Sequence, residues 1–287
     1  MQHDWSLARE GSIAKHIRAE SHEGCAIALL GLADDTGVAL NHGRVGAADG
    51  PAAFRKALMR FGMAYDSRAR LPLDMHIFDA GDVEPQESLQ ATHNAVTKRV
   101  LELLNMGMLP ICVGGGHDLT WPAVRALDEH IMQPFSGMYV DAHLDVREEP
   151  GSGMPFRMIL NHTRCASLTV LGLNPFANRQ DHVEWFCEHG GCIADDLNLP
   201  APDQTLSFAS FDLDAVAASD APGVSAPNPC GMNPHDAANI AQAIGCSASI
   251  RLFDIMELNP AFDVDDHTAR LAVQLFCAFL AGFAQRS

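Results

Sequence analysis

The sequence predicts an α/β protein in which helices cover both faces of a mostly parallel sheet. Apolar runs of strand length alternate along the chain with segments that have helical spacing. The apolar runs are continuous, as expected for parallel strands that are buried on both faces. No repeat, charge block or Pro/Ser-rich linker divides the chain. We therefore expect one domain, residues 25–287, preceded by an N-terminal arm, residues 1–24.

The strands are predicted from apolar runs, and the helices from apolar residues at helical spacing with suitable ends. Pro51 falls near the first turn of one helix, where proline is tolerated, and Gly107 is a stop signal for another. The predicted strands are 25–32, 74–82, 109–113, 137–141, 167–173, 205–212 and 249–256. The predicted helices are 50–61, 86–107, 119–130, 180–190, 234–244 and 266–285. Strand and helix alternate in this order, which is typical of a helix-covered parallel sheet.

Composition excludes several classes of partner. The 287-residue chain has 19 basic and 36 acidic residues and a formal charge of −17, which opposes binding to nucleic acid or to anionic membranes. No segment is apolar enough to span a bilayer, and the N-terminus lacks the apolar core of a signal peptide. We expect a cytoplasmic protein. Its eight cysteines form no CxxC pair, and we expect them to be reduced and buried.

Polar side chains that suit metal binding follow four of the predicted strands. In open sheets of this kind, ligands bind outside the carboxyl ends of the strands. The residues at these ends are His117, then Asp141, His143 and Asp145, then Asp212 and Asp214, and finally Glu257. Each motif alone also has a plain structural interpretation, such as a tight turn at "GGGHD" or solvated loop carboxylates at "FDLD". Together they predict one site.

The stretch "DAHLD" is the strongest part of this pattern. In an extended backbone, Asp141, His143 and Asp145 point to the same side, so like charges are held together and need a cation. Two histidines and four aspartates suit two divalent cations bridged by shared carboxylates, and an oxygen-rich set without thiolate favours Mn²⁺. No GxSxG elbow or cysteine motif offers a nucleophile. The expected reaction is therefore hydrolysis by a metal-bound hydroxide.

Four blocks resemble the signatures of the ureohydrolase superfamily, which includes arginase, agmatinase and formimidoylglutamase. They are "GGGHD" (114–118), "DAHLDVR" (141–147), "SFDLDAVAASDAPGVSAP" (210–227) and "ELNP" (257–260). The resemblance implies a three-layer α/β/α fold, arginase-like, with a mostly parallel central sheet. It also implies a homo-oligomer, trimer or hexamer, that acts on a small-molecule substrate.

The same resemblance implies roles for individual residues. One Mn²⁺ would be held by His117, Asp141, Asp145 and Asp212, and the second by Asp141, His143, Asp212 and Asp214. Asp145 would relay a proton to the departing amine, and Glu257 would pair with the cationic nitrogens of an amidine or guanidine. Catalysis would thus depend on Asp145 and Glu257.

Among the members, formimidoylglutamase is the most similar. Residues 34–58 are similar to its N-terminal block, residues 257–272 are close to its final block, and Arg147 stands where that family has arginine. In "SGMPFRM" (152–158), the histidine that arginases and agmatinases have near their metal ligands is missing, and Ser152 and Phe156 stand nearby.

The expected reaction is cleavage of N-formimidoyl-L-glutamate to L-glutamate and formamide, as in histidine degradation. Arg147 is the candidate to bind a substrate carboxylate, and Asn41, Arg44 and Asn178 are weaker candidates. Two alternatives stay open at this point. The protein could be another ureohydrolase that releases urea, or an inactive paralogue that serves as an oligomer partner.

Overall fold

A parallel sheet forms the centre of the computed structural model, which describes residues 3–62, 65–66, 71–72, 75–194, 197 and 205–286. The strands are β1 (Ile17–Arg18), β2 (Ile27–Leu32), β3 (Tyr65–Asp66), β4 (Leu71–Pro72), β5 (Ile77–Val83), β6 (Leu109–Gly114), β7 (Phe135–Val140), β8 (Cys165–Leu171), β9 (Gly191–Ile193), β10 (Leu206–Asp212) and β11 (Leu252–Met256). The helices are α1 (Thr36–Leu40), α2 (Gly50–Leu58), α3 (Leu89–Asn105), α4 (Thr120–Ile131), α5 (Pro155–His162), α6 (Gln180–Glu188), α7 (Pro234–Cys246) and α8 (His267–Phe283).

Within the described residues the sheet has nine strands in the order β1-β5-β2-β6-β11-β10-β7-β8-β9, and every neighbouring pair is parallel. The short strands β3 and β4 pair antiparallel outside it. The four strands β6, β11, β10 and β7 are consecutive neighbours, and Val113, Ile255, Phe211 and Val140 lie level with one another across them. The residues that follow these four positions therefore meet at one edge of the sheet.

Two apolar clusters cover the faces of the sheet, and they confirm the predicted three-layer α/β/α architecture. One contains Phe54 of α2 and the apolar residues of α7 and α8, with Phe276 and Phe279 completely buried. The other contains the apolar faces of α3, α4, α5 and α6. Strands β2, β6, β7 and β11 are buried along their whole length, which explains their continuous apolar sequences. In the described part of the chain, no helix has the length and apolar character to cross a membrane.

The predicted strands and helices are all present, with ends that differ by a few residues; residue 74, the start of one predicted strand, lies outside the described residues. Six of the strands and α-helices were not predicted: α1, α5, β1, β3, β4 and β9. Five of these have five residues or fewer, too short for a periodic pattern. The expectation that the cysteines are buried was partly wrong. All eight are free, but four are exposed: Cys187, Cys192, Cys230 and Cys246.

The segment before residue 25 packs onto the sheet, apart from residues 1 and 2, which lie outside the described residues. Strand β1 extends the sheet next to β5. The indole N–H of Trp5 donates a 2.8 Å hydrogen bond to Asp79. Asp79 also receives two bonds from Arg55, whose guanidinium contacts Asp82 as well. A buried ion-pair cluster therefore joins the N-terminal segment, α2 and β5.

Arg55→Ala is expected to lower the free energy of unfolding by about 3–5 kcal/mol, because it leaves the carboxylate of Asp79 buried without a cation. The side chains of Arg55 and Asp79 are 3% and 0% exposed. Lys56→Ala is the matched control, since Lys56 is 64% exposed and makes a surface ion pair worth less than about 1 kcal/mol. Urea denaturation measures both variants, and equal losses would show that the buried pair does not stabilise this region.

Candidate metal centre

The predicted ligands converge at the carboxyl ends of the four central strands. His117 follows β6, Asp141, His143 and Asp145 follow β7, and Asp212 ends β10 with Asp214 two residues later. Glu257 follows β11. His143 and Asp145 are partly exposed, and the other five are buried.

The first potential cation site has His117, Asp141, Asp145 and Asp212 around one point. The Nδ1 atom of His117 lies 3.2 Å from Asp141 Oδ2, 3.1 Å from Asp145 Oδ2 and 3.0 Å from Asp212 Oδ2. One imidazole nitrogen thus faces three carboxylate oxygens. These are the four residues predicted for one ion.

The second potential site has Asp141, His143 and Asp214 around one point. The Nδ1 atom of His143 lies 3.3 Å from Asp141 Oδ1 and 3.2 Å from Asp214 Oδ2. Asp141 belongs to both groups and is placed to bridge. Asp212 has an oxygen in the first group only, and its Oδ1 accepts the backbone N–H of Asp214. Its predicted second bridging role stays a prediction.

Unpaired oxygens at this centre fit a cation. Asp214 Oδ1 and Glu257 Oε2 are buried and have no hydrogen-bond partner among the described residues, and Asp141 Oδ2 shares the Nδ1 atom of His117 with two other carboxylate oxygens. Buried carboxylate oxygens without a partner are costly. A divalent cation with oxygen and imidazole ligands would satisfy the two aspartate oxygens, and the donor set suits Mn²⁺ or a similar ion better than a thiolate-binding metal.

The carboxylates around the two histidines favour the protonated form of each imidazole. Burial acts to lower the pKa of His117, but hydrogen bonds to Asp141, Asp145 and Asp212 outweigh it and raise this pKa well above its usual range. Burial also opposes the charge of His143, yet Asp214 and Asp141 raise its pKa to about 12. The carboxylates of this centre therefore attract positive charge to both imidazoles.

The pKa values of the carboxylates shift in different directions because their contacts differ. For Asp141, burial is outweighed by both histidines, which lower its pKa to about 2. Burial and then repulsion by Asp214 raise the pKa of Asp212 well above its usual range, while burial raises that of Asp214 to about 7. Burial and Asp212 raise the pKa of Glu257 to about 8. These carboxylates cannot all ionise without additional positive charge.

Glu257 and Asp145 both have left-handed backbone conformations, with φ of 67° and 48°. Such angles are uncommon for residues other than glycine and cost about 1–3 kcal/mol. Oε1 of Glu257 accepts the backbone N–H of His117 at 2.7 Å, and the carbonyl of Asp145 accepts the N–H of Phe156. The local structure therefore fixes the direction of both side chains.

The far side of the His117 ring has contacts that the sequence analysis missed. Its Nε2 lies 2.9 Å from Ser210 Oγ, and Ser210 donates to Asp254. Thr120 donates to the other oxygen of Asp254 at 2.9 Å. This series of hydrogen bonds orients the ring so that Nδ1 faces the carboxylates. The available signal was a carboxylate inside the apolar run "LFDIM".

Arg147 is exposed, and no described carboxylate forms an ion pair with its guanidinium. The neighbouring Glu148 pairs instead with Arg157, at 3.2 Å. The N–H of Arg147 donates to the carbonyl of Gly153, and a Cβ at position 153 would come within 2.9 Å of Arg147 Cδ. The backbone at Arg147 is thus held in place while its charge is available.

The other three substrate-binding candidates contact the loops around the centre. Asn41 donates to Ser152 Oγ at 3.2 Å. Arg44 donates to the carbonyls of Pro222 and Val224, and its guanidinium covers a phenyl ring. Asn178 bonds to backbone groups on both sides of His143. Their predicted contacts with substrate stay predictions.

Comparisons of sequence and of structure identify known proteins to which this chain is similar. The model of the arginase family matches residues 25–282. The formimidoylglutamase of Ralstonia nicotianae is 36% identical over 90% of this chain and 86% of its own length. That of Hahella chejuensis is 33% identical over 93% of this chain and 89% of its own. The crystal structure of Trypanosoma cruzi formiminoglutamase with Mn²⁺₂ has a TM-score of 0.86 and 29% identity, covering 94% of this chain and 97% of its own.

Binding of Mn²⁺ is expected to release protons, because metal ligands must be deprotonated while the cation-free histidines and Asp214 have raised pKa values. Affinity should therefore rise with pH through the region near 7. Calorimetric titrations in buffers of different ionisation enthalpy measure the protons, and we expect roughly one or more per ion. His143→Ala should release fewer. Binding without proton release would contradict the electrostatic description of the centre.

Proposed function

This chain belongs to the arginase family, and we propose that it hydrolyses N-formimidoyl-L-glutamate to L-glutamate and formamide. The main support is full-length similarity to formimidoylglutamases in a chain that retains all six candidate ligands at one centre. The ligands would hold two Mn²⁺ ions, as in the T. cruzi structure. Two such ions, when bound, make a shared water nucleophilic near neutral pH and neutralise charge that develops on it.

Glu257 is assigned to orienting the amidine. Its Oε2 is buried and has no hydrogen-bond partner among the described residues, while its Oε1 accepts the backbone N–H of His117. A cationic amidine offers N–H donors to this oxygen, and the resulting charge-assisted bond would hold the carbon above the centre. The raised pKa of Glu257, caused first by burial, falls when a cation lies next to it.

Asp145 is assigned to proton transfer. Its carboxylate lies at the first cation site and is the more exposed of that group. It would accept the proton released by water and donate it to the glutamate nitrogen as the C–N bond breaks. The fixed left-handed backbone at Asp145 maintains this position during both transfers.

The substrate also carries two carboxylates, which need positive partners in a chain of charge −17. Arg147, two residues after Asp145, has a guanidinium without a described carboxylate partner and could bind one of them through two parallel hydrogen bonds. A homo-oligomeric assembly, trimer or hexamer, is proposed on the basis of the sequence resemblance, and a cytoplasmic location is proposed with this function.

A product assay on the Mn²⁺-loaded protein tests the proposal. N-formimidoyl-L-glutamate, L-arginine, agmatine and simple guanidines are supplied separately, and glutamate, formamide and urea are quantified. We expect glutamate and formamide in equal amounts from the first compound and no product from the others. Urea from a guanidine would assign the same centre to another reaction of the family.

Arg147→Ala is expected to raise KM for N-formimidoyl-L-glutamate about 10–100-fold, the equivalent of losing a charge-assisted hydrogen-bond pair. An amidine without carboxylates should be affected far less. Arg179→Ala is the control, because Arg179 is 74% exposed and already paired with Asp181. Steady-state kinetics on both substrates separate the outcomes. Equal losses on the two substrates would exclude a carboxylate-binding role for Arg147.

A further inference from the structure

The ligand segment Asp141–Asp145 lies outside the sheet, so its backbone groups need other partners. Its two ends are held independently. The N–H of Asp141 continues the sheet by bonding to Leu171, and the carbonyl of Asp145 accepts from Phe156. The middle of the segment, which carries His143, has no sheet neighbour.

Asn178 supplies partners on both sides of His143. Its Oδ1 accepts the N–H of Leu144 at 2.9 Å, and its Nδ2 donates to the carbonyl of Ala142 at 2.8 Å. The same Nδ2 donates to the carbonyl of Asn174, also at 2.8 Å, which closes the loop that contains Asn178. The acceptor and both donors of one amide are therefore used.

These contacts require an amide. The side chain must accept from one N–H and donate to two carbonyls, which aspartate cannot do because a carboxylate has no donor. Aspartate would also turn an oxygen toward the carbonyls of Ala142 and Asn174, next to a centre that is already acidic. The contacts to backbone use both N–H donors of the amide and one lone pair of its oxygen.

We propose that Asn178 is a positioning residue for His143 and that it selectively maintains the second cation site. His143 is a ligand of that site only, whereas the first site contains His117, Asp145 and Asp212. The shared ligand Asp141 is held by the sheet. Loss of the Asn178 contacts should therefore affect one ion of the pair. This inference rests on the proposed two-cation centre and is independent of the identity of the substrate.

The test is Mn²⁺ binding by Asn178→Asp and Asn178→Ala, measured by calorimetry without substrate. Each variant should bind one Mn²⁺ about as the unmodified protein does and the other about 10–100-fold more weakly, as found when partners of metal ligands are removed. Electron paramagnetic resonance at limiting Mn²⁺ should change from the signal of a coupled pair to that of an isolated ion. Asn161→Asp, on the exposed surface of α5, controls for the added charge.

His143→Ala provides the reference for loss of the second site. Adding Asn178→Ala to His143→Ala should weaken the remaining ion less than about 2-fold, because both changes act through the same ligand. Equal weakening of both ions, or unchanged binding of both, would overturn the proposal. The thermal midpoint of each variant, measured before Mn²⁺ is added, shows whether the variant is folded. If Asn178→Asp does not fold, the Mn²⁺ affinities of the uncharged Asn178→Ala variant decide the test. Two ions bound without hydrolysis of N-formimidoyl-L-glutamate would contradict the proposed function and leave this inference standing.

Discussion

The burial of many carboxylates at one point is the constraint on which the rest of the structure depends. Four aspartates and Glu257 share a small volume with two imidazoles, and burial alone opposes the ionised form of every one of these groups. The same carboxylates raise the pKa of both histidines, which shows that the centre attracts positive charge. Divalent cations would balance the negative charge of the carboxylates and would satisfy oxygens that have no other partner. The centre is therefore shaped for a ligand of high positive charge.

The sheet provides the rigidity that such a centre requires. Strands β6, β11, β10 and β7 run side by side with matched register, so the residues after their last positions are brought level without any long loop. The segment around His143 leaves this framework, and there Asn178 and the backbone N–H of Asn174 supply hydrogen bonds in place of a sheet neighbour. Arg44 acts similarly at the carbonyls of Pro222 and Val224. Polar residues around the centre thus largely fix loop geometry.

The ligands could be predicted from sequence because their signal is local. An apolar run followed by aspartate or histidine identifies a strand end. The expected shared face of an extended "DAHLD" strand was wrong, because β7 ends at Val140 and Asp145 has a left-handed backbone, but the residues still converge at the end of β7. The order of strands is a property of the whole chain, so the adjacency of β6 and β11, distant in sequence, could not be predicted from local patterns. The backbone contacts of Asn178 could not be predicted for the same reason, since its partners Ala142 and Leu144 are more than 30 residues away. The exposed cysteines were missed because an apolar sequence context does not show which face of a helix or strand is covered.

Charge balance also explains how a general hydrolytic centre can become selective. The charges of four aspartates and two divalent cations cancel, which leaves Glu257 as the unbalanced group that, in the proposed function, would face a cationic amidine. That arrangement favours amidines and guanidines in general and does not distinguish among them by the rest of the substrate. A substrate with carboxylates is repelled by a chain of charge −17 unless a local cation receives it. Selectivity must therefore arise outside the ligand set. Arg147 is exposed, close in sequence to Asp145 and without an ion pair to any described carboxylate, so its guanidinium has the chemistry to bind a substrate carboxylate.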